Sequence, residues 1–194
     1  MRRKKGKRFL IPHSSFLIKI MVEDTYPCTF GEKKCMDEAQ LNELRAVKTL
    51  ERDRVTYLII HCTATKCNVD YTEDDLLQDH LKRKFVTVGY HYYVRKDGTV
   101  KQFRPLDKIG AHCKPYNSVS IGICYEGGLD ENGNPANTLT YLQYQAIGAL
   151  LVELQNKFPD AVVRGHRDMP LASKKACPCY NAREIFQHFL INDG

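Results

Sequence analysis

Apolar residues along the chain fall into two kinds of pattern: short unbroken runs, and longer stretches that recur every three or four positions. The runs predict strands and the stretches predict amphipathic helices. "VTYLII" (55–60) reads as a buried strand that ends at His61. "SVSIGICYEGG" (118–128) reads as a central strand, and "AVVRG" (161–165) as a strand that delivers His166. Thr72, with Asp75 three residues later, forms a capping-box start for a helix carrying Leu76, Leu77 and Leu81. Thr140 opens a longer helix with Leu142, Ile147, Leu150, Leu151, Leu154 and Phe158 on its apolar side. "AREIFQHFL" after Asn181 predicts a closing helix. Between these, "YHYYVRKDGTVKQF" alternates around Asp97-Gly98 and predicts a hairpin, while "LDENGNPANT" is a loop by its turn residues.

Strands interleaved with helices predict an α/β fold, one domain with a central mixed β-sheet flanked by helices. The pattern starts near Arg54, so residues 53–194 are assigned to the domain and residues 1–52 to an N-terminal extension. Within the extension Leu41, Leu44, Val47 and Leu50 fall at helical spacing and predict one helix.

Composition changes this picture little. At 194 residues, 43% hydrophobic and 27% charged, the chain can bury a full core without covalent staples. The net charge of +6 is matched by the six Lys and Arg residues of the opening "MRRKKGKR", leaving a near-neutral body. A basic tail on a neutral body does not predict a nucleic-acid binder. The tail is like the start of a signal sequence, but the following "FLIPHSSFLIKIM" is interrupted by Pro12, His13 and Lys19, with no clear cleavage site. No stretch approaches the roughly 20 apolar residues of a membrane span. The expectation is a chain that stays cytoplasmic until released or exported by another route. Eight cysteines at irregular spacing do not form a disulfide framework.

The candidate chemistry lies with two histidines. His61 and His166 each follow an apolar run, and ligand sites in open α/β sheets form beyond the carboxyl ends of strands. Cys177, eleven positions after His166 (177 − 166), sits on a Pro-, Ser- and Lys-rich loop able to fold back. Two imidazoles and a thiolate are natural zinc ligands that leave a fourth position open. The alternative is that each histidine merely bonds backbone at a strand end, and position alone does not decide between the two. "CPC" (177–179) lacks the spacing of a redox or zinc-knuckle C-x-x-C.

Five blocks carry a resemblance: "LIIHCTAT", "VGYHYYVRKDGTV", "GAHCKPYNSVSIGICYEGG", "VVRGHRD" and "KKACPCY". They stand in the order seen in zinc-dependent N-acetylmuramoyl-L-alanine amidases, and the chain resembles the phage-type members. Those enzymes share a fold with peptidoglycan recognition proteins. The resemblance covers about Arg54 to Leu190. It implies that His61, His166 and Cys177 hold one zinc per chain, that Tyr90 and Lys175 are catalytic, and that His112 lies on the substrate cleft. It implies a monomer that hydrolyses the amide between N-acetylmuramic acid and L-alanine in peptidoglycan or muropeptides. Where some relatives carry a glutamate base this chain has Cys124, which favours the phage-type Tyr/Lys arrangement. The loop from His166 to Cys177 is a few residues longer than the family pattern and is expected to reshape one cleft wall. A non-catalytic peptidoglycan-binding module of the same fold is the competing reading; such modules usually lack the thiolate ligand.

Overall fold

The computed structural model describes residues 38–172 and 174–190. The basic start and the segment weighed as a signal sequence lie outside these residues. The chain runs through α1 (Glu38–Ala46), β1 (Tyr57–Cys62), β2 (Thr65–Lys66), α2 (Glu73–Lys82), β3 (Tyr92–Val94) and β4 (Val100–Gln102). It continues through β5 (Ser120–Tyr125), β6 (Gly128–Leu129), α3 (Tyr141–Lys157), β7 (Val162–Gly165) and α4 (Ala182–Phe186).

Five strands make one mixed sheet in the order β4-β3-β5-β1-β7. β3, β5, β1 and β7 are parallel, and β4 closes one edge antiparallel to β3. The run at 118–128 does supply the central strand. Alternation along each strand divides the side chains between two faces. Leu58 and Ile60 of β1, Ile121, Ile123 and Tyr125 of β5, and Tyr92 and Val94 of β3 face one core. α3 covers that face with Ile147, Leu150, Leu151 and Leu154, all fully buried, and α4 adds Ala182 and Phe186. Each such aliphatic side chain contributes about 1.5–3 kcal/mol by leaving water. The opposite face carries Tyr93 and Cys124 beneath Leu76 of α2, and Ile59 beneath Cys113 and Met169. His61 has the parity of Ile59 and belongs to this second face.

The expected caps are present. Thr72 and Asp75 form a reciprocal capping box on α2, and Thr140 and Gln143 do the same on α3. Gln143 also donates to the carbonyls of Val94 and Glu126, tying the start of α3 to the ends of β3 and β5. The hairpin turns at Gly98, whose φ of 85° suits glycine, with Asp97 accepting from the Thr99 N–H.

Two features depart from the sequence pattern. α1 ends at Ala46, short of the helical spacing that runs to Leu50. Lys108 Nζ donates to the carbonyls of Arg45 and Val47 at the end of the helix, and the chain then extends, with Thr49 bridging to Lys108. Leu44 and Leu50 are buried, and Arg52 donates twice to the carbonyl of Lys157 at the end of α3. The described part of the extension therefore packs on the domain. Second, Leu129, read as the start of a loop, pairs through β6 with β2 in a small parallel sheet. The rest of that segment is a loop, with Asp130 accepting from Asn132 and Asn134. Among the described residues, no helix is long and apolar enough to cross a membrane.

Candidate metal centre

The sheet order decides whether the two strand-end histidines meet. β1 and β7 are parallel neighbours, and the last pair in their register is Ile60 with Gly165. The next residue on each is therefore a histidine. His61 remains inside β1, while His166 opens a short 3-10 turn, and their ring centroids lie 4.8 Å apart. Gly165 lets the following loop close over the strand end: a Cβ there would stand 2.7 Å from Pro178 and 2.9 Å from Asp168 Oδ2.

Cys177 arrives from the loop after β7. Its carbonyl accepts from Arg167 N–H at 2.8 Å, and its sulfur accepts the Cys62 N–H at 3.2 Å. Tyr125 anchors the same loop by donating its hydroxyl to the carbonyl of Pro178 at 2.7 Å. Earlier in the loop, Met169 and Ala172 pack with Ile59, Cys113 and Tyr116, forming one wall beside the site. The ligand atoms of His61, His166 and Cys177 all lie within 4.8 Å of one another. In a tetrahedral zinc site, bond lengths of about 2.0–2.3 Å set donor separations near 3.5 Å. His61 Nδ1 and Cys177 Sγ are 3.9 Å apart, so small side-chain movements complete such a geometry.

His61 uses its two nitrogens differently. Nδ1 faces Cys177, whereas Nε2 lies 3.0 Å from Nδ1 of His112. A proton on His61 Nε2, donated to His112, leaves Nδ1 free as a ligand; outer partners commonly fix the tautomer of a ligating histidine this way. Gly110 and Gly122 make room for the His112 ring, since a Cβ at either would meet ring atoms at 2.4–2.7 Å. His112 Nε2 is buried and has no partner among the described residues. Burial, then the nearby His166 and Lys175, hold His61 well below the usual imidazole range. His112 is lowered by burial and then by His61, His91 and His166. Both rings are thus neutral near pH 7, the form that binds metal.

The remaining expected residues surround this group. The Tyr90 ring sits 5.1 Å from His61, just before β3 rather than within it. Burial, followed by nearby Cys124 and Cys177, pushes its hydroxyl pKa up, so it stays protonated and can donate. Lys175 is exposed on the loop, and its charge is felt at His61. Cys124 is fully buried beneath Tyr90 and lies outside the ligand group.

Sequence reasoning missed the supports. His91, fully buried, accepts from Gly122 N–H through Nδ1 and donates from Nε2 to the carbonyl of Lys108, which fixes its tautomer and steadies the strand beside His112. His80 on α2 accepts the Gly89 N–H at 2.8 Å, and its ring lies 5.6 Å from that of Tyr90, tilted by 46°. The signal for His80 was faint, a histidine on the apolar side of a helix that reads equally well as core.

Comparison with known proteins identifies the family. The family model described as N-acetylmuramoyl-L-alanine amidase matches residues 51–180. An endolysin of Klebsiella phage KP32 is 39% identical over 141 residues, covering 73% of this chain and 91% of the relative. Among solved structures, the N-acetylmuramoyl-L-alanine amidase LysC from Clostridium intestinale URNW superposes with a TM-score of 0.60 at 28% identity, over 74% of this chain and 90% of that one. Bumblebee PGRP-SA shares the fold, with a TM-score of 0.61 at 24% identity over 74% of this chain and 86% of that one. A family pattern that spans the whole sheet, from the residue before Arg52 to the end of the Cys177 loop, settles the assignment: the chain belongs to the N-acetylmuramoyl-L-alanine amidase family.

Proposed function

We propose that the protein hydrolyses the amide between N-acetylmuramic acid and L-alanine in peptidoglycan, with one zinc ion held by His61, His166 and Cys177. The observation that carries this reading is the convergence of those three ligand atoms within 4.8 Å at the carboxyl ends of adjacent parallel strands. The donor set is two imidazoles and a sulfur that already accepts a backbone N–H, and it leaves one position open. When bound, zinc polarises a carbonyl and makes water a competent nucleophile near neutral pH.

The chain's own residues supply the rest. His112 holds His61 with Nδ1 towards the centre, and its unpartnered Nε2 is the group left to meet substrate. Lys175 brings a positive charge to the open side, where negative charge develops on the attacked carbonyl oxygen. Tyr90, kept protonated, donates a hydrogen bond there or to the departing amine, which must gain a proton to leave. All of these groups come from one chain, so a monomer completes the site. Against a purely binding role stands Cys177, whose thiol completes a ligand set that binding alone does not require.

The test is direct. Protein purified without chelator should carry about one zinc per chain and should release new L-alanine amino termini from purified peptidoglycan. Removal of zinc should abolish that release, and adding zinc back should restore it. A metal-free protein that keeps its rate in a strong chelator would overturn the zinc assignment. No new L-alanine termini from the zinc-loaded protein would overturn the activity.

A further inference from the structure

We infer that Cys62 and Cys179 are a thiol pair open to reversible oxidation by small disulfides such as glutathione disulfide, closing a cross-link between β1 and the Cys177 loop. The two sulfurs stand 3.9 Å apart although the residues are 117 positions apart in the chain. A disulfide needs about 2.05 Å between sulfurs, so each must move by only about 1 Å, within reach of side-chain rotation. The surroundings hold both thiols in place. Cys62 ends β1 and is 6% exposed. Cys179 donates to the carbonyl of Gly128 at 3.1 Å. Gly128 has a φ of 101°, and a Cβ there would lie 2.5 Å from Cys62 Sγ, so the backbone of β6 passes over the pair at a distance only glycine allows. Cys179 itself has a φ of 72°, a left-handed conformation uncommon for residues other than glycine and asparagine. That backbone directs its side chain inward against Cys62.

The chemistry balances with the oxidant named. Burial, then the neighbouring Cys62, pushes the Cys179 thiol up to about 12, so the exchange is slow. The Cys179 sulfur attacks one sulfur of glutathione disulfide as its proton passes to the departing glutathione, forming a mixed disulfide. The sulfur of Cys62 then displaces the second glutathione and completes the Cys62–Cys179 bond. Two electrons and the two thiol protons pass from the protein pair to two molecules of glutathione. A different partner is near: Cys177 Sγ accepts the Cys62 N–H. A Cys62–Cys177 bond would consume the proposed ligand, whereas Cys62–Cys179 spares it. With Cys177 committed to zinc, as proposed above, Cys179 would be the partner left to Cys62. The product ties the strand that carries His61 to the loop that carries Cys177, so oxidation firms the site instead of dismantling it.

The experiment uses the full-length, zinc-loaded protein incubated with glutathione disulfide, then alkylated, digested without reduction and mapped by mass spectrometry. The expected result is a Cys62–Cys179 cross-linked peptide, two thiols lost, unchanged zinc content, and a melting temperature higher by roughly 10–20 °C, as closure of a loop above 100 residues implies. Dithiothreitol should reverse all of it. Cys179→Ser should prevent both the cross-link and the melting shift while the reduced protein's amidase rate stays as in the wild type. A Cys62–Cys177 cross-link with loss of zinc, glutathione retained on Cys179 without a cross-link, or an unchanged thiol count would each overturn the inference. The zinc readout and the preference for Cys179 over Cys177 rest on the proposed role of Cys177, whereas the 3.9 Å approach of Cys62 and Cys179 does not. Peptide map and melting shift are therefore followed on chelated protein too, which separates failure of this inference from failure of the zinc assignment.

Discussion

Acid should destabilise the protein through His80, and the size of the effect follows from its surroundings. His80 is 5% exposed, packed against Phe85 and Tyr90, and its Nδ1 accepts the Gly89 N–H. Burial, then the charges of Arg83 and Arg104, lowers its pKa to about 4, with Asp79 opposing weakly. In the unfolded chain it titrates at about 6.5. The unfolded state therefore takes up the proton first, so the neutral ring costs nothing above pH 6.5 and stability drains away as pH falls from there towards 4. Between pH 7.5 and pH 5 the loss from this group is about 2 kcal/mol, a substantial part of a typical total stability of about 5–15 kcal/mol. His91, lowered to about 4 mainly by burial, adds a similar loss. To isolate His80, urea unfolding of the wild type and His80→Asn would be compared at both pH values in the same chelator-containing buffer. Asparagine keeps an acceptor for Gly89 but cannot titrate. The wild type should lose about 2 kcal/mol more than the variant over this interval. Equal losses would show that His80 takes up its proton as readily folded as unfolded, and the burial argument would fail.

Other substitutions separate the roles around the metal centre. Cys177→Ala should lose zinc and activity together, whereas Lys175→Ala and Tyr90→Phe should keep zinc while kcat falls by about 10²–10³, read by metal analysis and hydrolysis rate on the same preparations. Gly122→Ala would place a Cβ 2.6 Å from the His112 ring and should displace it from His61, lowering activity and zinc affinity while the sheet's circular dichroism persists. Truncation after residue 37 should leave a folded domain. Truncation after Leu50 should melt clearly lower, because it also removes two buried leucines, each of which typically costs about 2–5 kcal/mol even when only trimmed to alanine.

What could be read from the sequence was whatever depends on local pattern. The runs ending at His61 and His166 mark strands because a buried parallel strand has no polar face to show, and Thr72 and Thr140 mark helix starts because a cap is chemistry within four residues. The meeting of His61 with His166 was not local. It required β7 to lie beside β1, a choice made by the sheet as a whole. The same holds for His112, whose position behind His61 depends on Gly110 and Gly122 being without side chains. "CPC" was judged by its own spacing, yet Cys179 faces Cys62 from the far side of the loop, a partner no window of residues contains. α1 stopped early because Lys108, some sixty positions on, satisfies its last carbonyls.

The placement of β7 beside β1 has a consequence in time. His61 is synthesised before its neighbours His166 and Cys177, which follow 105 and 116 residues later. β5 can zip onto β1 before those residues have been made, but the half-built sheet would lack the wall that Met169 and Ala172 form beside the site. On the ligand set proposed above, the site is assembled only once β7 has docked beside β1. A chain folded as far as β5 therefore holds one of the three donors, and the activity arrives with the last strand of the sheet rather than with the first.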